Sequence, residues 1–272
     1  MSSRIWLTVL GSTRYEFCMQ VRRTALWIAM IVTSLIIFTS ASSPWRVASD
    51  APLSVVIADW AVVCNTVLPI VFGVLLSDRL PRDRRLHLTE LLDSLPAPAG
   101  SRLSGKFLGS ALATTAPIFL GYSVGIAELL LRRHDLMAIP IALAAFVLIN
   151  LPGLLFVAAF SIAMPAILWV PLYQFLFVGY WFWGNLLSPH YGIPTLSSTV
   201  LTPMGSFAAS GFFNNITTIV NGSTSTTYII VTITGDVVSG WEGALSILLL
   251  LTSGAMALFA AHRYLTWQRA QQ

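Results

Sequence analysis

Few side chains in this 272-residue sequence could carry chemistry. His87, His134, His190 and His262 are scattered among loops and the ends of apolar runs. No His-Glu-x-x-His, no Gly-x-Ser-x-Gly and no run of paired glutamates is present. Local spacing therefore supports neither a zinc hydrolase nor a serine hydrolase. Cys18 falls in a basic N-terminal segment and Cys64 in an apolar run, which predicts no disulfide and no zinc site. Two carboxylates, Asp59 and Glu128, sit inside long apolar runs. A carboxylate at the centre of a bilayer costs about 2.5–3.5 kcal/mol, and less near the surface, so such groups either pair or carry a proton or cation. Glu128 has Arg132 one turn later, the spacing of an i,i+4 ion pair. Gly100–Lys106 matches the phosphate-loop spacing G-x-x-x-x-G-K, but Phe107 stands where a Ser or Thr should hold Mg²⁺, and no strand precedes it. The better reading is a turn leading into the membrane, with Arg102 and Lys106 at the headgroups.

Two further patterns could bind or pack. Trp169, Tyr173, Phe177 and Trp181 recur at every fourth position. They read either as lipid contact with an aromatic belt around Tyr180 and Trp183, or as a wall for an apolar or amphipathic cargo. Gly105, Gly109, Ala113, Pro117, Gly121 and Gly125 form a small-residue stripe, and Ser253, Ala257 and Ala261 a weaker one. Such stripes admit a second helix backbone at close range, within one subunit or across a dimer.

The elements that must position these residues are membrane helices. Hydrophobic residues make up 56% of the chain and charged ones 10%, against about 25% charged in a soluble domain. Mean hydropathy is +0.78, and no Asp, Glu, Lys or Arg occurs between Leu136 and Gly235. This excludes an ordinary cytosolic enzyme and a disordered chain. The net charge of +4 is no nucleic-acid footprint, because what matters is where the charges sit. About 20 apolar residues cross a bilayer, and six runs qualify: Thr24–Ala41, Leu53–Ser77, Phe107–Leu131, Met137–Phe160, Pro165–Leu187 and Ala244–Ala261. The sequence thus predicts an all-α, polytopic single domain over 1–272. Residues 1–23 form an amphipathic segment, 24–187 spans one to five, 188–243 an external insertion, 244–261 span six and 262–272 a cytoplasmic tail. Thr13-x-x-Glu16 fits a capping box that would start a helix within the first segment, and its arginines and aromatics suit a stretch lying in the interface. In the insertion, Leu196–Phe213 reads as re-entrant or interfacial, and Thr226–Thr234 as a short strand. Basic residues concentrate in the N-terminal segment, the 78–106 loop and the tail, against Arg46, Arg132 and Arg133 on the other side. The positive-inside rule then puts both termini in the cytoplasm, at the cell membrane.

The loop between spans two and three is the most informative stretch. Pro81 suits a helix start, and Pro96 and Pro98 its end. Leu88, Leu91, Leu92 and Leu95 share one helical face, with Asp83, His87, Glu90 and Ser94 opposite. This predicts a short amphipathic helix, either an interfacial strut or a docking element for a cytoplasmic partner. The run Asp78-Arg79, Glu90-Leu91-Leu92-Asp93-Ser94-Leu95-Pro96, Arg102 and Gly105-Lys106-Phe107 resembles the loop after span two in ABC-2 type transporter permeases. That family commonly shows an acidic-basic start, a Leu-Leu-x-x-x-Pro core, a basic residue and a Gly-Lys opening span three. This chain adds Arg82, Arg84 and Arg85. The resemblance implies a permease dimer, homomeric or heteromeric, served by separate ATP-binding cassette ATPase subunits that hold ATP and Mg²⁺. This chain would carry no cofactor, metal or catalytic residue of its own. The helix with Arg82, Arg84, Arg85, Leu88, Glu90, Leu91, Leu92 and Leu95 would be the coupling helix pushed by ATPase closure. The cargo would be hydrophobic or amphipathic, a lipid, drug or peptide, moved past Trp169, Tyr173, Phe177, Trp181, Asp59 and Glu128. The alternative is an ion-coupled secondary transporter working through Asp59 or Glu128, against which the absence of an inverted repeat counts.

Overall fold

A computed structural model describes residues 2–39, 43–44, 51–79, 99–187, 194–196, 199–213 and 238–271. All regular structure among them is helical. In chain order the helices are α1 (Ser2–Val21), α2 (Thr24–Phe38), α3 (Leu53–Leu76), α4 (Ala99–Arg133), α5 (Ala138–Ala166), α6 (Val170–Trp181), α7 (Ser206–Phe213) and α8 (Gly240–Ala270). The coupling-helix residues and the expected strand over 226–234 lie outside the described residues.

Four helices, α3, α4, α5 and α8, are long and apolar enough to cross a membrane, and a bent α1–α2 pair makes five if counted as one span. Six runs were expected, and the two that fall short do so for visible reasons. The first, α2, has 15 residues and meets α1 at a 63° bend, where Arg22 and Arg23 interrupt the apolar pattern. The fifth, α6, has 12 residues and continues as a π-helical turn over Phe182–Leu186, near the lower limit for a span.

Contacts at the helix ends fix the alternation. Arg133 donates to the Ala51 carbonyl at 2.6 Å, joining one end of α4 to the segment before α3. At the opposite end, Gln174 of α6 donates to Ser77 Oγ at 2.9 Å, and His262 of α8 lies beside Gly100 of α4. This second end, shared with α1, is called the inner end below.

The chain turns between α5 and α6 later than expected. A turn over Ser161–Pro165 was anticipated, with Pro165 opening the next helix. Instead α5 tightens into a 3₁₀ turn over Met164–Ala166, and Pro171 occupies the first turn of α6. Proline is tolerated in either place because the missing N–H is unneeded there. The capping box expected at Thr13 and Glu16 is absent: α1 runs unbroken through both, and Glu16 turns inward to Arg79. A genuine box starts α8, where the Ser239 N–H donates to Glu242 Oε2 at 2.7 Å and the reciprocal bond is present. Ser239→Ala is expected to cost about 1 kcal/mol, read as a lower unfolding midpoint in detergent. No change would mean that packing on α7 alone holds this helix start.

Candidate functional site

The loop over 80–98 is rooted at Arg79, just past α3, and at Ala99, the start of α4. Both roots are held at the inner end. Arg79 and Glu16 of α1 are almost fully buried, with side-chain exposures of 3% and 5%, and Arg79 Nη1 lies 3.5 Å from Glu16 Oε1. Gln20 Nε2 donates to Glu16 Oε1 at 3.0 Å and also bonds Ser110 Oγ of α4 at 2.5 Å. The 3.5 Å Arg79–Glu16 spacing is long for a hydrogen-bonded ion pair, so the pair attracts mainly through charge, while Gln20 donates to the same carboxylate oxygen.

The small-residue stripe makes this clamp sterically feasible. A Cβ placed on Gly109 would fall 2.6 Å from the Thr13 carbonyl oxygen and 2.7 Å from Glu16 Cβ. One on Gly105 would meet the Val9 carbonyl oxygen at 3.0 Å and Ser12 even more closely. Further along α4, Gly121 faces Ser34 and Met30 of α2, and Gly125 faces the Trp60 ring of α3. Every glycine of the stripe is thus occupied by this chain's own helices. The α8 stripe is likewise internal, with Ala257 and Ala261 packed on Ala163 of α5.

A second polar cluster lies halfway along α3. Asn65 Nδ2 donates to the Ile149 carbonyl at 3.2 Å and to the Pro203 carbonyl at 2.9 Å. Asn150 Nδ2 donates back to the Ala61 carbonyl at 3.0 Å. Ile149 and Asn150 belong to a π-helical turn within α5, and π turns leave backbone groups looking for new partners. Pro203 precedes α7, whose first five residues, Ser206 to Ser210, are all buried. Irregular backbone at membrane depth survives only where protein satisfies it, and Asn65 does so for both carbonyls. The described part of Leu196–Phe213 packs against α3 and α5 through Pro203 and Gly205. Asn185, in the π turn after α6, accepts from Thr202 Oγ1 at 3.1 Å.

The residues suggested for a cargo path are dispersed. Tyr173, Phe177 and Trp181 form a buried aromatic ladder against α3 and α5, with ring centroids 5.7 and 5.8 Å apart along it. Tyr173 shares a hydrogen bond with Ser161, and Trp181 Nε1 donates to the Thr66 carbonyl at 2.8 Å. Trp169 is 70% exposed at the inner end. Asp59 is fully buried in α3, beside Trp60, whose Nε1 donates to the Tyr122 carbonyl. Glu128 pairs with Arg132 at 2.5 Å, the spacing expected from sequence, in a half-exposed setting where such a pair is worth at most about 1 kcal/mol. An apolar groove of about 160 Å³ opens between α4, α5 and α8, lined by Phe107, Phe156, Leu251, Gly254 and Leu258 among others. Gly100–Lys106 is helical throughout, not the expected turn.

Neither protein-family models nor curated proteins match this chain. Sequence reasoning passed over Gln20, Asn65 and Asn150. Asn65 and Asn150 signalled themselves only as polar residues in apolar helices, with distant backbone carbonyls as partners; Gln20 has Glu16 one turn away but also a partner 90 residues on, Ser110.

Proposed function

We propose that this chain is the permease subunit of an ABC-2 type exporter in the cell membrane, crossing it six times with both termini in the cytoplasm. Its partners are two ATP-binding cassette ATPase subunits and a second permease, and its cargo is a hydrophobic or amphipathic lipid, drug or peptide. It hydrolyses no ATP itself; ATP and Mg²⁺ sit on the partner ATPase. The observation carrying this reading is that both roots of the leucine-patterned loop are tied to long apolar helices at one end of the bundle, by Glu16–Arg79 on one side and by α1 and His262 on the other. A push on a loop so anchored moves α3 and α4. The apolar groove beside α8 suits an apolar cargo. A second reading, an ion-coupled secondary transporter, is favoured by one observation, the fully buried Asp59.

Replacing Leu91 and Leu92 together by Ala separates the two readings. Under the exporter reading the ATPase no longer co-purifies and cargo-stimulated ATP hydrolysis is lost, since truncating buried leucines costs about 2 kcal/mol or more. Unchanged association and stimulation would sink the coupling role. Transport abolished by Asp59→Asn but indifferent to ATP would establish the ion-coupled carrier instead.

A further inference from the structure

The outward face of α1 carries Trp6, Leu7, Leu10 and Tyr15, each 59–69% exposed, together with exposed Arg14, and exposed Arg22 follows directly after the helix. The opposite face, through Ser12, Thr13, Glu16 and Gln20, lies on α4. Two facts place the outward face at a membrane surface. The 63° bend from α2 tips α1 toward the bilayer plane if α2 stands near the normal. Its contacts with α4 fall at Gly105, Gly109 and Ser110, where the basic opening of that helix gives way to its apolar run. Large aromatic and aliphatic side chains beside arginines at that level are the chemistry of an in-plane interfacial helix.

Charge selects among lipids. Glu16 is the sole acid in α1, and it faces inward, paired with Arg79. The outward face therefore presents positive charge unopposed by any carboxylate of its own helix. We propose that this face of α1 binds anionic phospholipid in the leaflet at the inner end, with Trp6, Leu7, Leu10 and Tyr15 in the acyl boundary and Arg14 and Arg22 on the headgroup phosphates. The inference requires a membrane-spanning chain and is independent of whether the transporter is ATP-driven. Because α1 also clamps the roots of the 80–98 loop, the lipid held there bears on how firmly that loop is mounted.

The full chain carrying Leu10→Cys and Cys18→Ser, labelled with bimane at position 10, tests this. Cys64 is buried and escapes labelling. The protein is reconstituted in phosphatidylcholine vesicles containing a minority of phosphatidylglycerol, with acyl-brominated quencher supplied on one lipid or the other. Brominated phosphatidylglycerol is expected to quench several-fold more than brominated phosphatidylcholine at equal mole fraction. Arg14→Gln with Arg22→Gln should remove that preference, each arginine contributing about fivefold, while leaving quenching itself. A label at Thr252→Cys, exposed midway along α8, should be quenched equally by both and reports intact insertion. No quenching at position 10 with normal quenching at 252 would overturn the proposal and leave this face for a protein partner. Equal quenching by the two lipids at position 10 would overturn the anionic selectivity.

Discussion

Arg79→Ala is expected to destabilise the inner end of the bundle by about 3–5 kcal/mol, because it leaves the Glu16 carboxylate buried with no opposing charge. Both partners are at most 5% exposed, so solvent screening does not soften the loss. Glu16→Ala should also destabilise, because it removes the carboxylate that faces the Arg79 guanidinium. The double substitution should cost less than the sum, since the two charges that face each other are removed together. An apolar pair of similar volume, Glu16→Leu with Arg79→Met, should come close to the parent or exceed it. Unfolding of the four proteins in detergent gives the coupling energy directly. Additive effects below about 1 kcal/mol each would show that α1 is held by its glycine contacts and the Gln20–Ser110 bond without the ion pair. The cycle separates two things the static geometry combines, the steric seat at Gly105 and Gly109 and the electrostatic clamp beside it.

The apolar runs of α3, α4, α5 and α8 are legible in the sequence because length and hydropathy alone define a span, and these helices need little else. The Glu128–Arg132 pair is equally legible, being local. The seating of α1 is not. Its outward arginines suggest an interfacial stretch, but nothing nearby in the chain says that Glu16 meets Arg79, and the Thr13–Glu16 spacing points instead to a local cap. A capping pattern is short and recurs by chance; here a buried guanidinium supplied the stronger partner. The small-residue stripe announces close approach but not the identity of the visitor, which proves to be three different helices in turn. The mid-depth asparagines are the least legible of all. Asn65 bonds carbonyls 84 and 138 residues away, and which backbone groups need rescue depends on a π turn in α5 and on the segment before α7, which hydropathy does not register.

That crossing is where a single added side chain should do most harm. A Cβ on Gly153 of α5 would overlap the Pro203 carbonyl oxygen and lie 2.7 Å from Asn65 Nδ2. Both are fixed: one is backbone, the other a short amide already holding two carbonyls. Gly153→Leu must therefore displace the 199–205 segment, break the Asn65 bonds, or both. Overpacking alone costs about 1–3 kcal/mol, and each buried carbonyl left unsatisfied adds about 1–3 kcal/mol. A loss of at least about 3 kcal/mol is the expected result, with Gly153→Ala smaller but of the same sign. Asn65→Leu should reproduce the hydrogen-bond part without the clash. The control is Gly179 of α6, where an added Cβ meets nothing within 4 Å; there Gly→Ala should be neutral or stabilise by about 0.5–1 kcal/mol through helix propensity. If Gly153→Leu unfolds at the same temperature as Gly179→Ala, the Pro203 segment does not reach the bundle interior, and Asn65 must be satisfied by something else at mid-depth.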